Sequence, residues 1–135
     1  MSKSRLFAAR IARDKSGAAA VEFAIVSVAF LALIFGICYL GIMLYNSLTL
    51  NWAMEKGARI AALNKAATQS EIATAINGYL TSVKVPTATV TATNVTVDGV
   101  NGLSISATFT RTYAVPLIST FTITHSATTY VPLGS

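Results

Sequence analysis

The chain has 135 residues, 53% hydrophobic and 11% charged, with a mean hydropathy of +0.61. That is too apolar for an ordinary small soluble domain. The net charge of +5 does not mark a nucleic-acid-binding surface either: Lys3, Arg5, Arg10, Arg13 and Lys15 lie ahead of the apolar part with only Asp14 against them, and from residue 18 onward five Lys/Arg face four acids. A phosphate-binding patch would lie on the folded domain.

The first segment, residues 1–17, reads as a basic leader. It gives way to FAIVSVAFLALIFGICYLGIMLY, Phe23 to Tyr45, twenty-three residues without a charge. A bilayer core needs about 20 apolar residues as helix, so 23–45 is read as a transmembrane segment. A buried helix of a soluble protein is usually shorter and keeps a polar stripe. Five Lys/Arg precede the span, and Lys56, Arg59 and Lys65 follow it. The positive-inside rule therefore puts the N-terminus in the cytoplasm and the C-terminal part outside.

The leader is not of the ordinary secretory kind. Its apolar stretch is too long for a signal peptide, and no small-x-small site follows in NSLTLNWAM. The small residues come first, in SGAAAV. Cleavage, where it occurs, is expected on the cytoplasmic side, leaving the span in the mature protein. This arrangement resembles the leader of type IV pilin-like proteins, which a prepilin peptidase cuts after a Gly, with Glu as the fifth mature residue. Cutting between Gly17 and Ala18 makes Glu22 the fifth residue. A carboxylate at a span's centre costs on the order of 3 kcal/mol, so such a residue is expected to have a partner. The resemblance implies pairing of Glu22 with the new α-amine of Ala18 on a neighbouring subunit, setting axial register beside Phe23. The alternative is a Glu22 that reaches water at the lipid interface, favoured by the positive end of its helix.

The span also carries Ala20, Ala24, Val28, Ala32 and Gly36 at i, i+4 spacing. Small residues let helices approach closely, which makes Ala24, Ala32 and Gly36 a candidate packing face; small residues are also simply common in spans. The helix is expected to run from Ala18 to about Ala67, since residues 46–67 are rich in good helix formers. Gly57 weakens such a helix by about 1 kcal/mol relative to Ala and is expected to pack closely against something. Trp52 is expected at the interface or against the domain. Cys38, the only cysteine, lies in the span and is read as a packing residue.

A second helix is announced by Thr68-Gln69-Ser70-Glu71, the pattern of a capping box. Ile72, Ile76, Tyr79, Leu80 and Val83 form its apolar face, and Pro86 is expected to end it. Thirteen threonines then fall between residues 87 and 129 beside β-branched and aromatic residues, which favours strands. The expected strands are Thr87–Val97, a second with Leu103, Ile105, Ala107, Phe109 and Tyr113 on one parity, and Thr120–Val131. DGVNG (98–102) is read as a turn. Arg111 and His125 break the apolar parity, as a subunit contact or as strand ends reaching solvent. The expected fold is α+β: a long N-terminal helix, a short helix and a small three-stranded antiparallel sheet, with 68–135 as an extracytoplasmic domain.

Catalytic and metal constellations have few recruits. The chain holds one His and one Cys, and no P-loop, H-E-x-x-H, C-x-x-C or G-x-S-x-G. No enzyme activity, cofactor or metal is expected. Asn94-Val95-Thr96 fits a glycosylation sequon, a triplet that arises by chance.

With these parts in hand, the chain resembles the TadE-like pseudopilins of the tight-adherence (Tad/Flp) pilus machinery of bacteria. The residues that carry the resemblance are RDKSGAAAVEFAIV at 13–26, LIFGI at 33–37 and AMEKGARIAA at 53–62, including Gly57-Ala58-Arg59. One departure is Ser27-Val28, where the family often has Pro after the VEFA block. The resemblance implies a minor pilin or pseudopilin in the inner membrane that helps build a pilus for surface adherence. Its implied partners are the prepilin peptidase, other pilins or pseudopilins, the inner-membrane assembly platform and the membrane, with no nucleic acid. An uncleaved, signal-anchored periplasmic binding module is the alternative; a small tethered enzyme is a third reading that the residue inventory disfavours.

Overall fold

A computed structural model describes residues 15–116 and 119–133. Most of the expected leader, residues 1–14, lies outside the described residues. The elements are α1 (Lys15–Leu63), α2 (Gln69–Ser82), β1 (Thr89–Val97), β2 (Val100–Val115) and β3 (Ser119–Pro132). The sheet is antiparallel, in the order β1-β2-β3. The α+β expectation holds.

α1 is a single 49-residue helix, about 74 Å long at 1.5 Å per residue. It ends at Leu63, short of the expected Ala67. The cause is local: Asn64 Oδ1 accepts the Ala66 amide at 3.1 Å, and the Ala67 amide turns back to the Asn64 carbonyl at 2.9 Å. An asparagine side chain that holds its own backbone in a turn competes with helix propagation.

α2 begins as its sequence predicts. Thr68 caps the Glu71 amide, and the Glu71 carboxylate accepts from the Thr68 amide at 2.8 Å. These hydrogen bonds hold the Glu71 carboxyl below its ordinary pKa. Thr68→Ala removes the cap and is expected to destabilise the domain by about 1 kcal/mol, read as a lower midpoint in chemical denaturation. Pro86 is not what stops this helix. It ends at Ser82, followed by Lys84 in the left-handed region at φ 59°, with the Val85 amide reaching back to the Leu80 carbonyl at 2.9 Å. That is a Schellman-type closure with lysine in the place glycine usually takes.

The β1–β2 connection is tighter than the expected 98–102 turn. Val97 pairs with Val100, so only Asp98 and Gly99 lie between the strands, at φ 51° and 79°. Two positive φ values define the type I′ hairpin that Asp-Gly favours. Gly102 is instead a strand residue, roofed by the Tyr130 ring, whose hydroxyl donates to the Val100 carbonyl at 3.0 Å.

Strand parity sorts the sheet into two faces. One carries Val90, Ile105, Ala107, Phe109 and Val131 and is buried against Leu50, Ala53, Met54 and Ala61 of α1 and Ile72, Ile76 and Leu80 of α2. The other is exposed and hydroxyl-rich, with cross-strand pairs Ser106–Thr128, Thr110–Thr124 and Thr112–Thr122 at 2.8–3.2 Å. α2 is tied to β1 through amide side chains. Asn77 both donates to the Ala88 carbonyl (3.1 Å) and accepts from the Ala88 amide (2.7 Å), as a neighbouring strand would. The core thus includes the distal part of α1, across the expected boundary at 67.

Candidate membrane and assembly site

α1 has two unlike halves. Up to Cys38 most of its large apolar side chains stand free: Phe23 is 75% exposed, and Val21, Ile25, Val26, Phe30 and Leu33 are likewise uncovered, while Phe35 is half-buried. From Tyr39 onward one face, through Met43, Asn46, Leu50, Ala53, Gly57 and Ala61, turns onto the sheet and α2. The free half contains a window of mean hydropathy 2.6, none of it buried, so α1 is long and apolar enough to cross a membrane.

The sequence-derived site residues fall on both halves. Gly17, Ala18, Glu22, Phe23, Ala24 and Gly36 are exposed on the free half and Ala32 is half-buried there. Among the described residues, none of them belongs to the hydrophobic core or packs against it. A methyl group on Gly17 or Gly36 would meet nothing within 4 Å. Gly57 is different. It is buried, and an added Cβ would lie 2.7 Å from Ile76 Cδ1 and 3.2 Å from Ile72 Cγ2. Its neighbour is therefore α2 of the same chain. Trp52 is 59% exposed and does not pack against the domain.

The largest surprise is polar. Where α1 leaves its apolar run, a chain of hydrogen bonds fastens it to the sheet. Arg111 Nη1 donates to Asn46 Oδ1 (3.3 Å), and Asn46 Nδ2 donates to the Tyr113 hydroxyl (2.6 Å). Tyr113 lies 2.9 Å from His125 Nε2, and His125 Nδ1 lies 3.0 Å from Ser47 Oγ. Because Tyr113 already accepts from Asn46, its own proton faces Nε2. The neutral imidazole then carries its proton on Nδ1 and gives it to Ser47. His125 is also stacked on Phe109, centroids 4.9 Å apart. Asn46 and His125 are buried. Arg111 and His125 are thus not strand ends reaching solvent, nor do they face outward as a subunit contact; they point inward to α1. Their place on the inward parity of β2 and β3 was the signal for it.

Burial, followed by the charge of Arg111, lowers the His125 pKa below its ordinary value. The neutral form is therefore favoured in the folded state. The stability it contributes is present above the unfolded-state pKa of about 6.5 and declines as pH falls below that value, where the unfolded chain binds the extra proton. Thermal midpoints are expected to drop between about pH 7 and about pH 5; a midpoint constant over that range contradicts the assignment.

These features define a class: an α+β protein whose first helix is an apolar anchor at one end and a core element at the other. Residues 17–59, most of that helix, match the model of the TadE-like protein family. That family is structural and associated with the Tad pilus rather than with catalysis. No curated protein and no solved structure matches the chain. Among the described residues, no group of three or more His, Cys, Asp or Glu could hold a metal ion.

Proposed function

We propose that the chain is a minor pilin or pseudopilin of a Tad-type pilus, cut between Gly17 and Ala18 by a prepilin peptidase. It is retained in the inner membrane by α1, with its domain on the periplasmic side. The observation that carries this reading is the free half of α1, family-matched from residue 17, uncharged after Glu22 and largely uncovered by the other described residues. A helix of this kind is covered by lipid, by other helices, or by each in turn. Glu22 would pair with the Ala18 amine of a neighbouring subunit, beside Phe23, while Ala24, Ala32 and Gly36 would admit a close helix neighbour. Gly17 suits the cut. Glycine lowers helix stability by about 1 kcal/mol and a Cβ placed there would meet nothing within 4 Å among the described residues, so the backbone there opens readily for a protease.

The test is complementation in the host bacterium. A strain lacking the chain is expected to lose assembled pili, to regain them with the natural gene, and not to regain them with Gly17→Arg, which blocks removal of the leader. Normal piliation without the chain, or full rescue by Gly17→Arg, overturns the proposal.

A further inference from the structure

The sheet reaches lower along α1 than a purely aqueous domain should. Tyr39 lies inside the uncharged run, yet its hydroxyl donates to the Ala114 carbonyl and its ring meets Tyr113 edge-on at 6.3 Å. Tyr113 in turn stacks on Phe121 at 5.6 Å. Tyr39 precedes Asn46 by seven residues, so this end of the sheet lies about 10 Å below the Asn46–Arg111 contact, at 1.5 Å per residue.

At that level both elements are free of charge. α1 has none from Phe23 to Met54, and the sequence 112–124 has none either; the first charge above this end of the sheet is Arg111, bonded to Asn46. The other faces of α1 here present Leu40, Ile42, Leu44 and Tyr45, each at least 41% exposed. Several of the polar groups that do occur are paired within the chain: the Ala114 carbonyl with Tyr39, Thr112 with Thr122, and the Ser119 hydroxyl with the Thr120 carbonyl. Where water is scarce such pairing is required. The length of the span gives the same answer. A hydrocarbon core of about 20 helical residues that begins after Glu22 reaches Ile42, past Tyr39.

We propose that the β2–β3 end of the sheet, at Ala114, Pro116 and Thr120, is seated in the lipid leaflet on the domain's side, with the membrane surface at the level of Asn46, Ser47, Arg111 and His125. The domain is then held at a fixed height and tilt by lipid as well as by α1. A depth of about 10 Å is that of interfacial elements, and tyrosines at this depth match the aromatic belt of membrane proteins. The inference rests on α1 spanning a bilayer, and its test separates the two.

The full chain is placed in phosphatidylethanolamine–phosphatidylglycerol vesicles with a spin label at one site at a time. The native Cys38 serves as the control for the span. Ala114→Cys, Thr120→Cys and Thr96→Cys are made in a Cys38→Ser background, all at exposed positions. Accessibility to oxygen and to a water-soluble nickel chelate is read for each. Labels at 114 and 120 are expected to behave like Cys38, with nickel accessibility several-fold below that at Thr96. Tip labels as open to nickel as Thr96, with Cys38 shielded, overturn the seating of the sheet. A Cys38 label open to nickel overturns the span itself, and the seating with it.

Discussion

Glu22→Ala is expected to leave removal of the leader intact and to lower incorporation of the chain into pili by roughly tenfold or more, as judged from the cost of an unpartnered charge in a membrane. Glu22 is the only acid between Gly17 and Met54, one residue before the exposed Phe23. No side chain of the described residues pairs with it within 4 Å by salt bridge, and the nearest cation that processing would create is the amine at residue 18 of another subunit. A carboxylate kept near hydrocarbon has an energetic reason to seek that amine, and alanine has none. Immunoblots of sheared pili against the membrane fraction measure the ratio. Glu22→Asp, which keeps the charge on a shorter arm, is expected to fall between the two. Unchanged incorporation of Glu22→Ala contradicts the assembly role.

Ile76→Ala is expected to be the most damaging single truncation in the domain, by about 2–5 kcal/mol. Ile76 is fully buried, and its Cδ1 and Cγ1 fill the space above Gly57, 2.7 and 2.8 Å from where a Cβ would stand. Alanine at 76 leaves that space empty at the junction of α1 and α2. The pair should also be coupled. Gly57→Ala alone must push Ile76 aside, whereas in the Ile76→Ala background the new methyl enters the cavity, and alanine favours the helix over glycine by about 1 kcal/mol. The double variant is therefore expected to be more stable than Ile76→Ala alone. Denaturation of the full chain in detergent micelles measures the cycle. A loss below about 1 kcal/mol for Ile76→Ala contradicts this account of the junction.

Features with a local physical cause were readable from the residues. The uncharged run, the Thr68–Glu71 capping box, the alternation in β2 and the Asp98-Gly99 turn each depend on neighbours a few positions away. The misplaced boundaries have local causes too: Asn64 stops α1 through a side-chain turn, and Lys84 closes α2 in a conformation that lysine rarely adopts. The polar joint was hidden for another reason. Asn46 and Ser47 follow the span, and Arg111, Tyr113 and His125 lie on two strands more than sixty residues further on. Polar residues on an inward parity suggested an edge, when they marked the place where α1 itself becomes polar. Nor could the sequence show that the sheet extends beside Tyr39, because that depends on the register of the whole sheet against α1. The free half of α1 was legible in composition alone, since the other described residues leave most of it uncovered.

The proposed processing makes Ala18 the first residue of the mature protein. Its most direct test is the intact mass and N-terminus of the membrane-extracted chain, made with and without a prepilin peptidase. The expected result is a start at Ala18 only when the peptidase is present. A leader retained in both samples contradicts it and leaves a membrane-anchored binding domain in its place.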